Sequence, residues 1–253
     1  MLAELLTFNS YALIVILARV GAVLTLMPGI SASYVSMRIR MMLALGLSFL
    51  LMPLLAARLP ALPAAPLDLG LLLIGEVIVG VFLGTVARVI VAALHAAGTF
   101  ISYVMSLANA MAQDPVAETQ SSTVAGFFST IGVLLVFVTD LHHLMLKAIV
   151  ASYELFPAGA PLPVGDFAET LGRGLAESFL LGLQMAAPFV LLGFTYTLGL
   201  GLLGRLMPQL SVFFFGLPFQ IAVQIWLMTL VLSAVMLAFV GKFAETMGKF
   251  AGL

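Results

Sequence analysis

The sequence predicts an all-α membrane protein of about six apolar helical segments, and three observations carry that expectation. Hydrophobic residues make up 63% of the 253-residue chain and charged residues 8%, with a mean hydropathy of +1.23. Soluble chains are roughly a quarter charged, so this chain has too few charges to cover a water-facing surface. Apolar runs recur at about 11–28, 39–57, 69–94, 124–139, 175–204 and 210–240. Most of them approach or exceed the roughly 20 residues that a helix needs to cross a hydrocarbon core. The connectors between the runs are short and rich in helix breakers. Hydropathy alone does not tell a helix facing lipid from one buried in a large assembly.

In chain order, the opening "MLAELLTFNSYALIVILARV" carries Glu4 as its first charge and Arg19 inside its apolar run. A cleavable leader has the opposite charge order, so the segment is expected to be retained. "MPGISASYVSMRIR" (27–40) is a turn followed by two arginines. "RLPALPAAPLD" (58–68) and "FPAGAPLPVGD" (156–166) are proline-rich links that cannot continue a helix. The second of these is the strongest candidate for an internal boundary, and two long apolar helices follow it. Lys242 and Lys249 near the end favour a cytoplasmic C-terminus.

Several function classes drop out. A net charge of −1 and the lack of a basic patch or phosphate loop leave no nucleic-acid role. With no cysteine there is no disulfide, Cys-ligated zinc or Cys nucleophile. No GxSxG elbow or other nucleophile signature is present, so no catalytic residue is assigned and the chain is expected not to be an enzyme.

The polar residues inside the apolar runs carry the remaining information. Glu76, Gly80, Gly84 and Arg88 are spaced four apart and form one row on a helix. The two glycines let another backbone approach closely, and intramembrane charges such as Arg19, Glu76 and Arg88 need a partner or a cavity. Asp140, His143 and Lys147 share another face. They make either a polar helix end or a proton relay. Zinc takes three or four ligands and the only histidine elsewhere is His95, so neither a metal centre nor a cofactor is expected. Arg205, Pro208 and Gln209 form a polar corner, read as a helical hairpin tip, before the phenylalanines of 213–215. Gln220 and Gln224 share a face suited to bonding a neighbouring helix.

The most polar stretch is "SLANAMAQDPVAETQSS" (106–122). Asp114–Pro115 cannot lie in a regular lipid-facing helix, because irregular backbone at membrane depth needs protein or water around it. The insert is therefore an external loop or a loop folded into a pore. Two of the fourteen methionines, Met105 and Met111, flank or enter it, and methionine suits surfaces that adapt to varied partners.

Several blocks together resemble the FliR/SctT family of type III secretion export-gate proteins. They are "LARVGAVLTLMPGISASYVSMRIRMMLALGLS", "GEVIVGVFLG", the "DP" at 114–115, "FVTDLHHLMLKAIVASYELFP", "GLQMAAPFVLL" and "LGLGLLGRLMPQLSVFFFGLP". They run in family order across nearly the whole chain. Two positions depart from the family pattern: Leu141 stands where glycine is frequent, and Ser211 where asparagine is. The resemblance implies a FliP-like part over 1–160 followed by a FliQ-like helical hairpin over 165–253. It implies assembly with FliP and FliQ proteins, contact with FlhB and FlhA proteins, and passage of unfolded export substrates. It places the chain in the bacterial inner membrane at the flagellar basal body. Within 106–122 and at its edge it implies a pore plug carried by Met105, Asn109, Met111, Gln113, Asp114, Pro115, Glu118 and Gln120. Two alternatives stay open: injectisome service in the same family, and a proton-coupled secondary transporter using Glu76, Arg88 and Asp140.

Overall fold

The computed structural model describes the backbone of residues 2–105, 123–207 and 212–252, with side chains described from residue 10 onward and, in the last helix, from residue 216. Among the described residues the regular structure is all helical, with no strand. They form α1 (Leu2–Leu26), α2 (Met37–Leu55), a 3-10 turn (Ala56–Arg58), α3 (Pro66–Val104), α4 (Thr123–Val138), α5 (Leu141–Leu155), α6 (Val164–Leu206) and α7 (Val212–Phe250). Six of these helices correspond to the apolar runs. The seventh, α5, is too polar at its start to register as an apolar run, yet its buried Leu141, Met145, Ala148, Ile149 and Ser152 recur at helical spacing.

Local chemistry sets the ends. The Ser36 hydroxyl caps α2 by accepting from the Ile39 amide. Pro53 lies two residues before the end of α2, and the chain tightens into the 3-10 turn. Pro66 opens α3, where its missing N–H costs nothing, and Asp68 in the first turn faces the positive end of the helix dipole. Several serine and threonine hydroxyls inside the apolar helices are satisfied within their own helix. Ser48, Ser102, Thr130 and Thr195 each donate to the carbonyl one turn back, at 2.6–2.9 Å.

Four helices are long and apolar enough to cross a membrane: Met37–Arg58, Pro66–Val104, Val164–Leu206 and Gly216–Phe250. The pair α4–α5 makes a fifth if it is counted as one broken span, bent by 73°.

The chain divides into two compact units. The first combines residues 1–89, 136–174 and 243–253. Here α1 runs parallel to the first half of α3, its partners advancing together from Arg19 against Glu76 to Leu26 against Gly84. A Cβ at Gly80 would lie 2.5 Å from the Arg19 carbonyl oxygen, and one at Gly84 would lie 2.7 Å from the Leu26 Cβ. The glycines thus set the α1–α3 spacing. Phe82, Phe156, Phe167 and Phe250 form an aromatic cluster in the same unit, with Phe82 and Phe167 stacked at 4.1 Å.

The second unit combines residues 90–135 and 175–242. The second half of α3 packs antiparallel to α4, where Gly98 meets Ala125 and Leu94 meets Gly132. It packs parallel to α6, where Gly182 meets Ala93 and Gly193 meets Val104. Helices α6 and α7 run antiparallel, tied by Tyr196 donating to the Gly216 carbonyl at 2.7 Å and by the Lys242–Glu177 pair at 2.9 Å.

The α3–α4 contact yields a paired expectation. A Cβ at Gly98 would fall 2.4 Å from the Ala125 Cα, whereas one at Gly126 meets nothing within 4 Å. Gly98→Ala should lower stability by about 1–3 kcal/mol, because backbone has to move. Gly126→Ala should be neutral or mildly stabilising through helix propensity. Thermal midpoints of the two variants in detergent, followed by gel filtration, check the contrast.

Candidate functional site

Two groups of residues stand out: a buried ionic network in the first unit, and the roots of the polar insert in the second. The network centres on Arg19, which is 0% exposed. Its Nε donates to Glu76 Oε2 at 2.7 Å and its Nη2 to Glu76 Oε1 at 2.9 Å, a two-pronged pair that only a guanidinium can make. Nη2 also donates to the Phe156 carbonyl at 2.9 Å, and Nη1 donates to the Ser152 hydroxyl at 3.0 Å. The Ser152 hydroxyl in turn donates to the Ile149 carbonyl at 2.6 Å. The guanidinium carbon lies 3.8 Å above the Tyr153 ring. One arginine therefore ties α1 to α3, to α5 and to the link that follows α5.

Glu76 is thus fully engaged. It borders an open groove of about 610 Å³ lined by Asp68, Gly75, Pro157 and Pro161 among others. Arg88, three turns along α3 from Glu76, does not join the network. It is exposed in the middle of a 39-residue apolar helix. Asp140 and His143 lie at the α4–α5 bend, 3.5 Å apart and both exposed. Arg205 is exposed in the last turn of α6, where its charge suits the helix dipole. Pro208 and Gln209 lie outside the described residues.

In the second unit the described residues bracket the insert. Met105 is 1% exposed, and its amide closes the last turn of α3 on the Ile101 carbonyl. The Val104 carbonyl, left without a helical partner at the end of α3, accepts from Gln220 Nε2 at 2.8 Å. Gln224 Nε2 donates to the Phe189 carbonyl at 3.2 Å, linking α7 to α6. On the far side Val124, Ala125 and Phe128 are buried. Both roots of the insert therefore sit on packed helices. A groove of about 300 Å³ lined by Tyr103, Val104, Phe194, Thr197 and Gln220 opens beside the first root. Asn109, Met111, Gln113, Asp114, Pro115, Glu118 and Gln120 lie outside the described residues.

Sequence reasoning singled out Arg19 and Glu76 without joining them, and it missed Ser152 and Tyr153. The only available signal was their spacing on the buried face of α5. Removing one charge strands the other. Arg19→Met or Glu76→Leu alone should destabilise by about 3–5 kcal/mol, while the double variant should recover much of that loss. A double-variant cycle of thermal midpoints checks this, with the folded fraction on gel filtration as a second measure.

Comparison with known proteins places the chain. Residues 10–246 match the family described as "Bacterial export proteins, family 1". The flagellar biosynthetic protein FliR of Caulobacter vibrioides is 36% identical over 243 residues, covering 96% of this chain and 97% of that protein. FliR of Pectobacterium carotovorum is 30% identical over 91% of this chain and 90% of its own length. The Yop proteins translocation protein T of Yersinia pestis is 28% identical over 60% of each chain. With helices of membrane-crossing length and relatives in flagellar biosynthesis, the chain belongs to the bacterial export proteins, family 1, the FliR/SctT family of type III secretion export-gate proteins.

Proposed function

We propose that this chain is a non-enzymatic, pore-forming component of the flagellar export gate in the bacterial inner membrane. In this reading it assembles with FliP and FliQ proteins, works beside FlhB and FlhA proteins, and passes unfolded flagellar subunits. One observation carries the assembly. Large apolar side chains on α6 are exposed from Leu175 through Phe179, Leu191, Phe194 and Leu202 to Leu206. That stretch measures about 47 Å at 1.5 Å per residue. A hydrocarbon core is about 30 Å thick, and even a tilt of about 40° leaves the stripe too long for it. Lipid cannot cover it all, so other protein must. Exposed Arg88 supports the same view, since a charge on an apolar helix needs water or a counter-charge from another chain. Flagellar rather than injectisome service is favoured by the longer and stronger match to FliR proteins.

Within the gate, residues 106–122 act as the stopper. The insert is the most polar part of the chain, and Gly98–Ala125 packing with the Gln220 bond fixes both its roots.

Co-expression with FliP and FliQ proteins should give a stable complex containing one copy of this chain, in higher yield than the chain alone. Native mass spectrometry reads the stoichiometry, and a chain that folds and stays solitary beside those partners would sink the assembly reading. Deleting residues 110–117 should leave the complex intact and raise its ion conductance in planar bilayers severalfold. Unchanged conductance in an assembled deletion variant removes the stopper while leaving the gate standing.

A further inference from the structure

The α4–α5 bend gathers Asp140, His142 and His143, each offering one ligand atom, with the three atoms within 4.8 Å of one another. We infer that this bend is a binding site for a divalent transition-metal cation of the zinc type.

Three features set these side chains apart from an ordinary polar helix start. Asp140 adopts φ 58, the left-handed region, and is the only non-glycine residue to do so among those described. It occupies the cap position of α5, yet its carboxylate accepts no amide from the helix. The usual use of an aspartate there is therefore not taken up. Its Oδ1 instead lies 3.5 Å from His143 Nδ1. Two ligands of a tetrahedral metal with bonds of about 2.0–2.1 Å stand about 3.3 Å apart, close to that spacing. Finally, His142 Nδ1 is buried with no hydrogen-bond partner, although the residue as a whole is only half-buried. An orphaned nitrogen costs about 1–3 kcal/mol unless something binds it.

The surroundings help to hold the rings. The His142 ring is stacked on Phe137 at 5.1 Å and lies 4.1 Å from the His143 ring. The spread of up to 4.8 Å must close to about 3.3 Å for all three donors to meet one ion. Two imidazoles and one carboxylate suit zinc and its neighbours and disfavour magnesium and calcium, which take oxygen donors. Three protein ligands leave a fourth position for water or an outside group. All three donors lie at the start of α5, so the ion would staple the first turn of α5 to its cap residue.

The test uses the full chain, purified in detergent without a histidine tag, with Zn2+ and Co2+ as the only probes. The wild type should retain about one Zn2+ per chain after gel filtration and show the visible bands of four-coordinate Co2+, which Zn2+ then displaces. His142→Ala and His143→Ala should each weaken Co2+ binding at least about tenfold. Asp140→Gly keeps a residue at ease with positive φ while deleting the carboxylate, so it separates the ligand from the turn. It should fold like the wild type and bind Co2+ about tenfold more weakly. His95→Ala should bind as the wild type does. Absence of stoichiometric binding, or equal binding by the wild type and folded His142→Ala, His143→Ala and Asp140→Gly variants, overturns the inference.

Discussion

A guanidinium with no exposed surface, that of Arg19, is the constraint around which the first unit is built. A buried charge is tolerated only when a counter-charge and hydrogen-bond acceptors surround it. Here a carboxylate, a hydroxyl, a carbonyl and an aromatic face do so, and they come from α3, α5 and the link after α5. Each of those elements must then stand at a fixed distance from α1. Gly80 and Gly84 work beside the pair: they let the α1 and α3 backbones lie close together, and side chains at those two positions would hold them apart. Apolar packing alone would let α1 slide along α3. The ionic network gives it one register.

The second unit relies on other means. Besides the Lys242–Glu177 pair, its polar ties between helices are glutamine and tyrosine donors aimed at backbone carbonyls, with small residues at the helix crossings. In an apolar medium such contacts satisfy backbone groups that water would otherwise serve. The bond from Gln220 to Val104 serves a carbonyl at the place where α3 gives way to the polar insert. Exposed leucines and phenylalanines along α6 make the complementary point about surroundings, since they exceed what one bilayer covers.

The Asp140 bend shows how local conformation can alter the meaning of a motif. In a continuous helix, Asp140 and His143 would be an unremarkable i,i+3 pair. With Asp140 left-handed, the helix begins anew, the carboxylate takes no capping bond, and two adjacent imidazoles each offer a nitrogen within 4.8 Å of it. The donor set then has the composition of a metal site although the sequence has only three histidines.

From its residues alone the chain determined a good deal. Composition dictated membrane helices, because 8% charge cannot clothe a soluble surface. The prolines at 60, 63, 157, 161 and 163 marked links that stay outside the helices. Four-residue spacing put Glu76, Gly80 and Gly84 on one row, and ordered blocks of residues carried the family resemblance. These features are local, since periodicity and helix breaking act over a few residues. Tertiary structure decided the rest. Arg19 and Glu76 are 57 residues apart, and Arg19 and Ser152 are 133 apart, so no short-range pattern joins them. Whether Arg88 is buried or exposed, and whether Asp140 caps a helix or turns away from it, likewise depended on packing and backbone twist. Pairing across long stretches of chain is chosen by which surfaces fit together in space, and that fit is not written in the order of the residues.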